Sequence, residues 1–346
     1  MVSWLDTILD RTVVLGYTRI GYRLRKDTFK PIGLPPLDGK VVLVTGASSG
    51  LGLAAAEGFA RLGATVRLLA RDERRGELAR AQIAAGTGNG DVHLDLCDLS
   101  DLDSVRRYAQ QLRDQTPRLD VLVNNAGALP AERTLSADGI ELTFATNVVG
   151  PFLLTNLLVP LLAESDPARI VNVSSGGMYA QRVHLDDLQM AHERFDGATA
   201  YARSKRAEVM LTEAWAERLA RSTVVAHAMH PGWVDTPGLK SSLPRFYGAM
   251  KRLLRTPAEG ADTIVWLGAA AEPVGSSGGF WHDRRQRPTH LVPWTRQPPA
   301  ERERLWAECE RLSGWHESHP EGHTQRAHGR QSIGSTQTPS DADPNR

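Results

Sequence analysis

Residues 41–52 read VVLVTGASSGLG and open on four apolar residues, three of them β-branched. Such a run is typical of a short strand that is buried on both faces. Three glycines follow in the spacing G-x-x-x-G-x-G: Gly46, Gly50 and Gly52. An Ala-rich stretch over 53–62 then predicts a helix. In doubly wound folds this order presents backbone N–H groups and a helix N-terminus to a dinucleotide pyrophosphate. Glycines also close ordinary turns between a strand and a helix, so the turn alone leaves both interpretations open.

The composition is that of an ordinary globular protein. The chain has 346 residues, of which 41% are hydrophobic and 23% charged, and its net charge is +1. The small charge gives no reason to expect a nucleic-acid partner. Cys97 and Cys309 lie far apart without metal-ligand spacing, so we predict neither a disulfide framework nor a metal site. A reducing, cytoplasmic compartment is expected.

Apolar runs and helical patterns alternate along the chain. Strands are predicted at 41–44, 65–70, 92–96, 121–123, 169–173 and 223–229, and helices at 53–62, 73–84, 104–112, 142–163, 200–219 and 258–268. This alternation predicts an α/β protein with a doubly wound Rossmann fold, in which helices cover both faces of a central parallel sheet. The expected divisions are a helical N-terminal extension (1–39), the α/β domain (40–295), a C-terminal helix (296–315) and a disordered tail (316–346).

Two segments raise the question of a membrane. The uncharged stretch 142–163 is long enough to span one, but its Asn, Thr, Pro and Gly residues favour a buried core helix. Basic and aromatic residues alternate over 1–30, which predicts an amphipathic helix that packs on the protein or lies peripherally on a membrane surface or a partner. Asp6, Asp10 and Arg11 interrupt the first apolar stretch, so no secretory signal is expected.

Tyr201 and Lys205 lie four residues apart in the last long helix. This spacing places both side chains on one helix face. A nearby cation favours the phenolate, so we expect a lowered Tyr201 pKa and a proton donor or acceptor that works near neutral pH. Ser175 follows a predicted strand and offers a hydroxyl to a substrate oxygen.

The motifs together resemble the short-chain dehydrogenase/reductase family. The order is Thr-Gly-x-x-x-Gly-x-Gly, Asn-Asn-Ala-Gly, Asn, Ser, Tyr-x-x-x-Lys and Pro-Gly, and it extends from Lys40 to Trp294. Stretches at 173–178, 195–197, 229–233, 235–238 and 260–263 narrow the resemblance to one group of members within that family.

The resemblance implies a role for each matching residue. Tyr201 would be the general acid/base, Lys205 would lower its pKa and bind the nicotinamide ribose, and Ser175 would stabilise the substrate oxygen. Asn147 would anchor a water of the proton relay, the alternative being an amide satisfied by the helix backbone. The implied cofactor-binding residues are Gly46, Ser48, Ser49, Gly50, Leu51, Gly52, Asp98, Leu99, Asn125, Ala126, Gly127, Tyr201, Lys205, Pro231, Gly232 and Thr236.

Arg71 decides the expected cofactor. An acidic residue at the end of the second strand would bind the ribose 2′-OH of NAD, but Ala70 and Arg71 occupy this place. Because a guanidinium binds a phosphate, we expect NADP(H) rather than NAD(H). The alternative is an exposed Arg71 paired with Asp72 or Glu73.

The predicted function is an NADP(H)-dependent oxidoreductase that interconverts a carbonyl and a secondary or primary alcohol. Apolar residues over 239–254 would cover an apolar small-molecule substrate, or would belong to the core. The first alternative is a catalytically silent NADP(H)-binding scaffold. The second is an epimerase or dehydratase for nucleotide sugars. The helices after Phe144 and Ala200 are apolar enough to allow a homodimer.

Overall fold

The computed structural model describes residues 16–26 and 33–317. Its strands are β1 Val41–Thr45, β2 Thr65–Ala70, β3 Val92–Leu96, β4 Val121–Asn124, β5 Ala168–Val173, β6 Val224–Met229, β7 Phe280–His282 and β8 Arg285–Arg287. Its helices are α1 Arg19–Lys26, α2 Gly50–Arg61, α3 Glu73–Thr87, α4 Leu102–Gln115, α5 Leu142–Ala163, α6 Gly197–Arg218, α7 Pro237–Ser242, α8 Pro244–Met250, α9 Pro257–Ala269 and α10 Pro299–Ser313.

The strands form one sheet in the order β3-β2-β1-β4-β5-β6-β7-β8. All neighbouring pairs are parallel except β7 and β8, which are antiparallel. Successive residues of β1 face opposite sides of the sheet. Leu43 packs in the core formed with α4, α5 and α6, whereas Val42 and Val44 pack with α2 and α9 on the other side. The predicted doubly wound sheet with helices on both faces is therefore confirmed.

Helix α5 is the uncharged stretch 142–163. Among the described residues it is the one helix long and apolar enough to cross a membrane, and 78% of its apolar window is buried inside the protein. Phe152, Leu154 and Leu158 are fully buried in the core. The burial supports the core-helix interpretation of this stretch. A π-helical turn at Ala145–Val149 interrupts it.

Part of the N-terminal extension packs on the α/β domain. The Arg25 guanidinium donates to Asp283 at 2.9 Å, and Arg255 donates to the same carboxylate and to the Gly16 carbonyl. All three side chains are nearly inaccessible. One face of helix α1 is thus packed on the domain, while 1–15 and 27–30 of the predicted amphipathic segment lie outside the described residues.

The C-terminal helix α10 packs against α5 and α6. Trp306 contacts the Phe152 ring edge-on, with ring centroids 4.8 Å apart, and its own ring lies 3.9 Å beneath the Arg218 guanidinium. The two helices considered for a homodimer are therefore covered here by the chain's own α10. All but the first two residues of the expected disordered tail lie outside the described residues.

Element boundaries differ from prediction mainly at the helix ends. The strands agree within one residue, whereas α3 and α4 extend up to three residues further than the apolar pattern suggests. Strands β7 and β8 were not predicted, since three residues are too short for a periodic signal. The segment 239–254 contains most of α7 and all of α8, neither of which has a buried residue.

Candidate active site

The glycine turn joins β1 to α2 and lies at the carboxyl edge of the sheet. Gly46 and Gly50 have φ values of +65° and +56°, a region that favours glycine. A Cβ on Gly52 would stand 2.5 Å from the Gly46 carbonyl oxygen. All three glycines are thus required by the backbone geometry of the turn.

The N-terminus of α2 is left open. Its N-cap Ser49 makes no side-chain capping bond, whereas α3, α4, α6 and α9 are capped by Asp72, Asp101, Asp196 and Thr256. Uncapped N–H groups at a helix N-terminus are suited to an anionic group. A dinucleotide pyrophosphate fits this turn, and Ser48, Leu51 and Gly52 would surround it.

A second group of predicted cofactor residues follows β4. The Thr45 hydroxyl accepts from the Asn125 and Ala126 N–H groups at 2.9 and 3.0 Å, and the Asn125 amide donates to the Thr45 carbonyl. Asn125 therefore ties this loop to the glycine turn. A Cβ on Gly127 would stand 3.6 Å from Lys205 Nζ.

The loop after β6 reaches the glycine turn from the other side. The Thr236 methyl lies 3.2 Å from the position of a Cβ on Gly50. The Thr236 hydroxyl also caps α7, because it accepts from Leu239 N–H at 3.2 Å. Gly232 has a φ of +77°, so the turn Pro231–Gly232 depends on this glycine. Of the predicted nicotinamide-side residues, Thr236 therefore lies beside the predicted phosphate turn.

Asp98 and Leu99 follow β3 at the same edge of the sheet. The Asp98 carboxylate accepts from Ser100 N–H and from the Ser100 hydroxyl at 2.9 and 2.7 Å. The Leu99 side chain is buried, and its carbonyl lies 2.0 Å from where a Cβ on Gly150 would stand. These contacts hold the backbone of Asp98 and Leu99, the two residues that the sequence predicts beside adenine.

Asn147 lies in the π-helical turn of α5. Its Oδ1 accepts from Ala128 N–H at 2.7 Å, and its Nδ2 donates to the Ala128 carbonyl and to Ser204 Oγ. The alternative in which the helix backbone satisfies this amide is therefore wrong. The π-turn directs the side chain across to the loop after Gly127 and to α6.

Ser175, Tyr201 and Lys205 come together at the carboxyl end of β5. The Ser175 hydroxyl lies close enough to the Tyr201 phenol to lower its pKa, and Lys205 Nζ lies 5.5 Å from the Tyr201 ring centroid. The neighbouring Ser174 is buried and donates to the Lys205 carbonyl at 2.7 Å. The second serine of the pair thus faces the phenol, and the first fastens β5 to α6.

The expected lowering of the Tyr201 pKa is wrong for the protein without cofactor. Burial raises the pKa of this phenol, Lys205 lowers it, the carboxylate of Glu208 raises it and the nearby Ser175 hydroxyl lowers it. The desolvation cost of the phenolate outweighs the attraction of Lys205, so the net direction is upward.

Two arginines lie between the end of β2 and the first turn of α3, Arg71 and Arg75. Arg71 is exposed, and within the described ranges its side chain shows no hydrogen bond or ion pair with Asp72 or Glu73. Asp72 instead caps α3 by accepting from Arg75 N–H at 2.7 Å. The Arg75 guanidinium lies 3.3 Å from Ser49 Oγ. Arg75 was not among the predicted cofactor-binding residues, although the first turn of α3 follows β2 at the same edge of the sheet.

The chain matches the family model for short chain dehydrogenases over residues 40–245. It belongs to the short-chain dehydrogenase family. It is 42% identical to dehydrogenase/reductase SDR family member 12 of Bos taurus, with 86% of this chain and 94% of the relative covered. It is 37% identical to retinol dehydrogenase 14 of Mus musculus, with 80% and 87% covered.

Two solved structures are similar to it. A short-chain dehydrogenase of Escherichia coli CFT073 complexed with NADPH is 28% identical, with a TM-score of 0.60 over 72% of this chain and 98% of that one. The Pseudomonas aeruginosa RhlG/NADP active-site complex is also 28% identical, with a TM-score of 0.58 over 71% and 94%. The protein is therefore an oxidoreductase of the short-chain dehydrogenase family, which uses a nicotinamide cofactor and acts on small molecules.

Proposed function

We propose that the protein is an NADP(H)-dependent oxidoreductase that interconverts a carbonyl and a secondary or primary alcohol on an apolar substrate. The observation that carries the proposal is the position of Lys205 Nζ, 5.5 Å from the Tyr201 ring and bonded to the Val173 carbonyl at the end of β5, with the Ser175 hydroxyl close enough to the phenol to lower its pKa. A phenol placed this way has a hydroxyl partner for the substrate oxygen and a cation nearby.

The residues would divide the reaction as follows. A nicotinamide cofactor would supply or accept the hydride when bound. Ser175 holds the substrate oxygen as charge develops on it. Tyr201 gives its phenolic proton to that oxygen in reduction, or takes it in oxidation. Lys205 would hold the nicotinamide ribose, and the Asn147 amide fixes the loop at Ala128 beside them. Asn147 would in addition anchor a water of the proton relay.

The preference for NADP(H) rests on charge. Arg71 is exposed at the end of β2, and Arg75 reaches Ser49 of the glycine turn. Two guanidinium groups beside the place of the adenosine ribose would attract a 2′-phosphate. The NADPH complex of the Escherichia coli relative supports the same preference.

An apolar substrate is supported by the segment 239–254. Its large apolar residues are half-buried rather than packed in the core, with the exception of Leu254. Phe246 contacts Trp233 edge-on at 5.0 Å, and the Ser242 hydroxyl donates to the Leu129 carbonyl beside the Asn-Ala-Gly loop. Helices α7 and α8 would thus cover the substrate next to Tyr201.

Peripheral membrane contact of the N-terminal segment is part of the proposal. Ile20 and Leu24 lie one helical turn apart on α1 and are 43% and 49% exposed, and Arg23 is exposed beside them. Anionic vesicles should sediment the wild type, and the double variant Ile20→Ser and Leu24→Ser should remain in solution. Equal sedimentation of the two would exclude this surface.

Turnover of a carbonyl panel tests the proposed function. NADPH consumption should depend on Tyr201, and Tyr201→Phe should lower kcat by about 10²- to 10⁴-fold while NADPH still binds. Turnover confined to small polar carbonyls would exclude the apolar substrate. Tight NADPH binding without turnover of any carbonyl would instead support the cofactor-binding scaffold.

A further inference from the structure

A buried ion pair lies behind the Tyr201 phenol. Lys205 Nζ donates to Glu208 Oε1 at 2.6 Å and to the Val173 carbonyl at 3.0 Å. The exposed fractions of the two side chains are 3% and 9%. Tyr201, Lys205 and Glu208 are spaced i, i+4 and i+7, so the three groups follow one face of α6.

The carboxylate is only half satisfied. Glu208 Oε2 is buried and accepts no hydrogen bond from the described residues. Such an oxygen costs free energy, on the order of 1–3 kcal/mol, and a neutral side chain at this position would avoid the cost. Because the Glu208 carboxylate lowers stability in this way and yet lies against Lys205, we expect it to have an effect on Lys205 and Tyr201.

We propose that Glu208 is a positioning residue that holds the Lys205 ammonium in place and offsets part of its charge beside the Tyr201 phenol. The inference rests on the proposed function, in which Tyr201 transfers the proton. Glu208 would touch neither substrate nor cofactor and would act through Lys205.

Few titratable or polar groups surround the Lys205–Glu208 pair. They are the Tyr201 phenol on α6, the Val173 carbonyl at the end of β5 and the Ser175 hydroxyl in the turn after it. Lys205 is the one charged side chain of the described residues that acts on Glu208. Burial raises the pKa of Glu208 to about 7 against the attraction of Lys205, and the ionised carboxylate in turn raises the pKa of Tyr201. The ionised Glu208 carboxylate therefore opposes formation of the phenolate, and its removal should make the phenolate easier to form.

Tyrosine ionisation in the cofactor-free protein measures this coupling directly. Near-ultraviolet difference titrations of the wild type and Tyr201→Phe isolate the ionisation of Tyr201, and the same pair is then compared in the Glu208→Gln background. Removing the carboxylate charge should move the Tyr201 ionisation to lower pH by about one unit. The pH profile of kcat/KM for alcohol oxidation should shift in the same direction, because oxidation needs the phenolate.

Glu217→Gln is the matched control. Glu217 lies on the same helix, is 57% exposed and pairs with Arg302, so its substitution should move neither titration. If the Glu208→Gln variant does not fold, Glu208→Met removes the same charge without needing a hydrogen bond, and the same shift is expected. An unmoved or raised Tyr201 ionisation in a folded Glu208 variant would overturn the inference. A lowered ionisation in a protein that turns over no substrate would overturn the proposed function alone.

Discussion

At the scale of single residues, the proposed acid/base Tyr201 lies on α6, with Lys205 and Glu208 on the same face of the helix. The i, i+4 spacing of Tyr201 and Lys205 is visible in the sequence, and so is Glu208 one turn further on. Burial is not visible, and burial reverses the expected direction of the Tyr201 pKa. The acidity of a phenol depends on the desolvation of its charged form as much as on the nearest cation, and desolvation is a property of the packed molecule.

Arg71 and Arg75 should determine cofactor choice. Arg71→Ala and Arg75→Ala should each weaken NADPH binding by about tenfold or more, since each loses a charged contact to the 2′-phosphate, and should leave NADH binding unchanged. Fluorescence titration with the two cofactors measures both affinities. Arg80→Ala is the control, because Arg80 on α3 is exposed and pairs with Glu77. An equal loss of NADPH and NADH affinity would contradict the assignment.

His282 should make the folded state sensitive to acid. It is fully buried beside the Asp283 carboxylate and Arg255, and burial lowers its pKa to about 3. The unfolded chain takes up a proton near pH 6.5 and the folded protein does not, so stability is lost as the pH falls from 6.5 towards 3. His282→Asn should remove up to about 1.4 kcal/mol per pH unit of this slope.

Denaturant unfolding at about pH 7, 6 and 5 measures the slope of the His282 effect, because these values cover the upper part of the window in which the unfolded chain alone is protonated. His184→Asn replaces an exposed histidine and should leave the slope as it is in the wild type. The explanation fails if the His282→Asn variant and the wild type lose stability in parallel over this range.

At the scale of elements, the central strands could be predicted because each is an apolar run with no solvent face. The glycine turn could also be predicted, because its backbone adopts conformations that favour glycine and the glycines are visible in the sequence. Strands β7 and β8 were missed because Phe280–His282 and Arg285–Arg287 are held by pairing with β6 and with each other rather than by their own pattern. Helices α7 and α8 were missed because half-exposed segments have no clear amphipathic period.

Gly52→Ala should damage the glycine turn. The added methyl would stand 2.5 Å from the Gly46 carbonyl oxygen and equally close to the Asn125 amide, so the turn must shift. We expect a loss of about 1–3 kcal/mol in the free energy of unfolding, together with NADPH binding weakened by at least about tenfold.

Gly86→Ala in α3 provides the comparison for Gly52→Ala. A Cβ there meets its nearest atom, Glu57 Oε1, at 3.8 Å, so this variant should be as stable as the wild type or more stable. Thermal shifts with and without NADPH separate the two effects. Wild-type cofactor affinity in Gly52→Ala would mean that the turn does not hold the pyrophosphate.

At the scale of the whole molecule, both ends of the described chain complete the α/β domain. The segment 16–26 brings Arg25 to the buried Asp283, which Arg255 also contacts. The Tyr17 ring packs against His230 at 4.5 Å, and its carbonyl accepts from Trp233 N–H at 2.8 Å, so this segment braces the loop that follows β6. No local pattern predicts such contacts, because their partners lie far away along the chain.

Helix α10 should keep the protein monomeric. Leu305 and Trp306 fill the face of α5 and α6 that would otherwise be free to pair with a second copy, and Trp306 packs on Phe152 and Trp215. Light scattering of the wild type at micromolar concentration should therefore give the mass of one chain. Leu305→Asp should displace α10, because a carboxylate cannot be buried there unpaired, and the apolar face that it uncovers should drive self-association.

Arg304→Ala is the control for α10, since Arg304 is 60% exposed and pairs with the exposed Asp186 on the outer side. It should remain monomeric and as stable as the wild type. A wild-type dimer that Leu305→Asp leaves intact would place the pairing surface elsewhere. A wild-type dimer that Leu305→Asp dissociates would mean that α10 forms the interface instead of covering it.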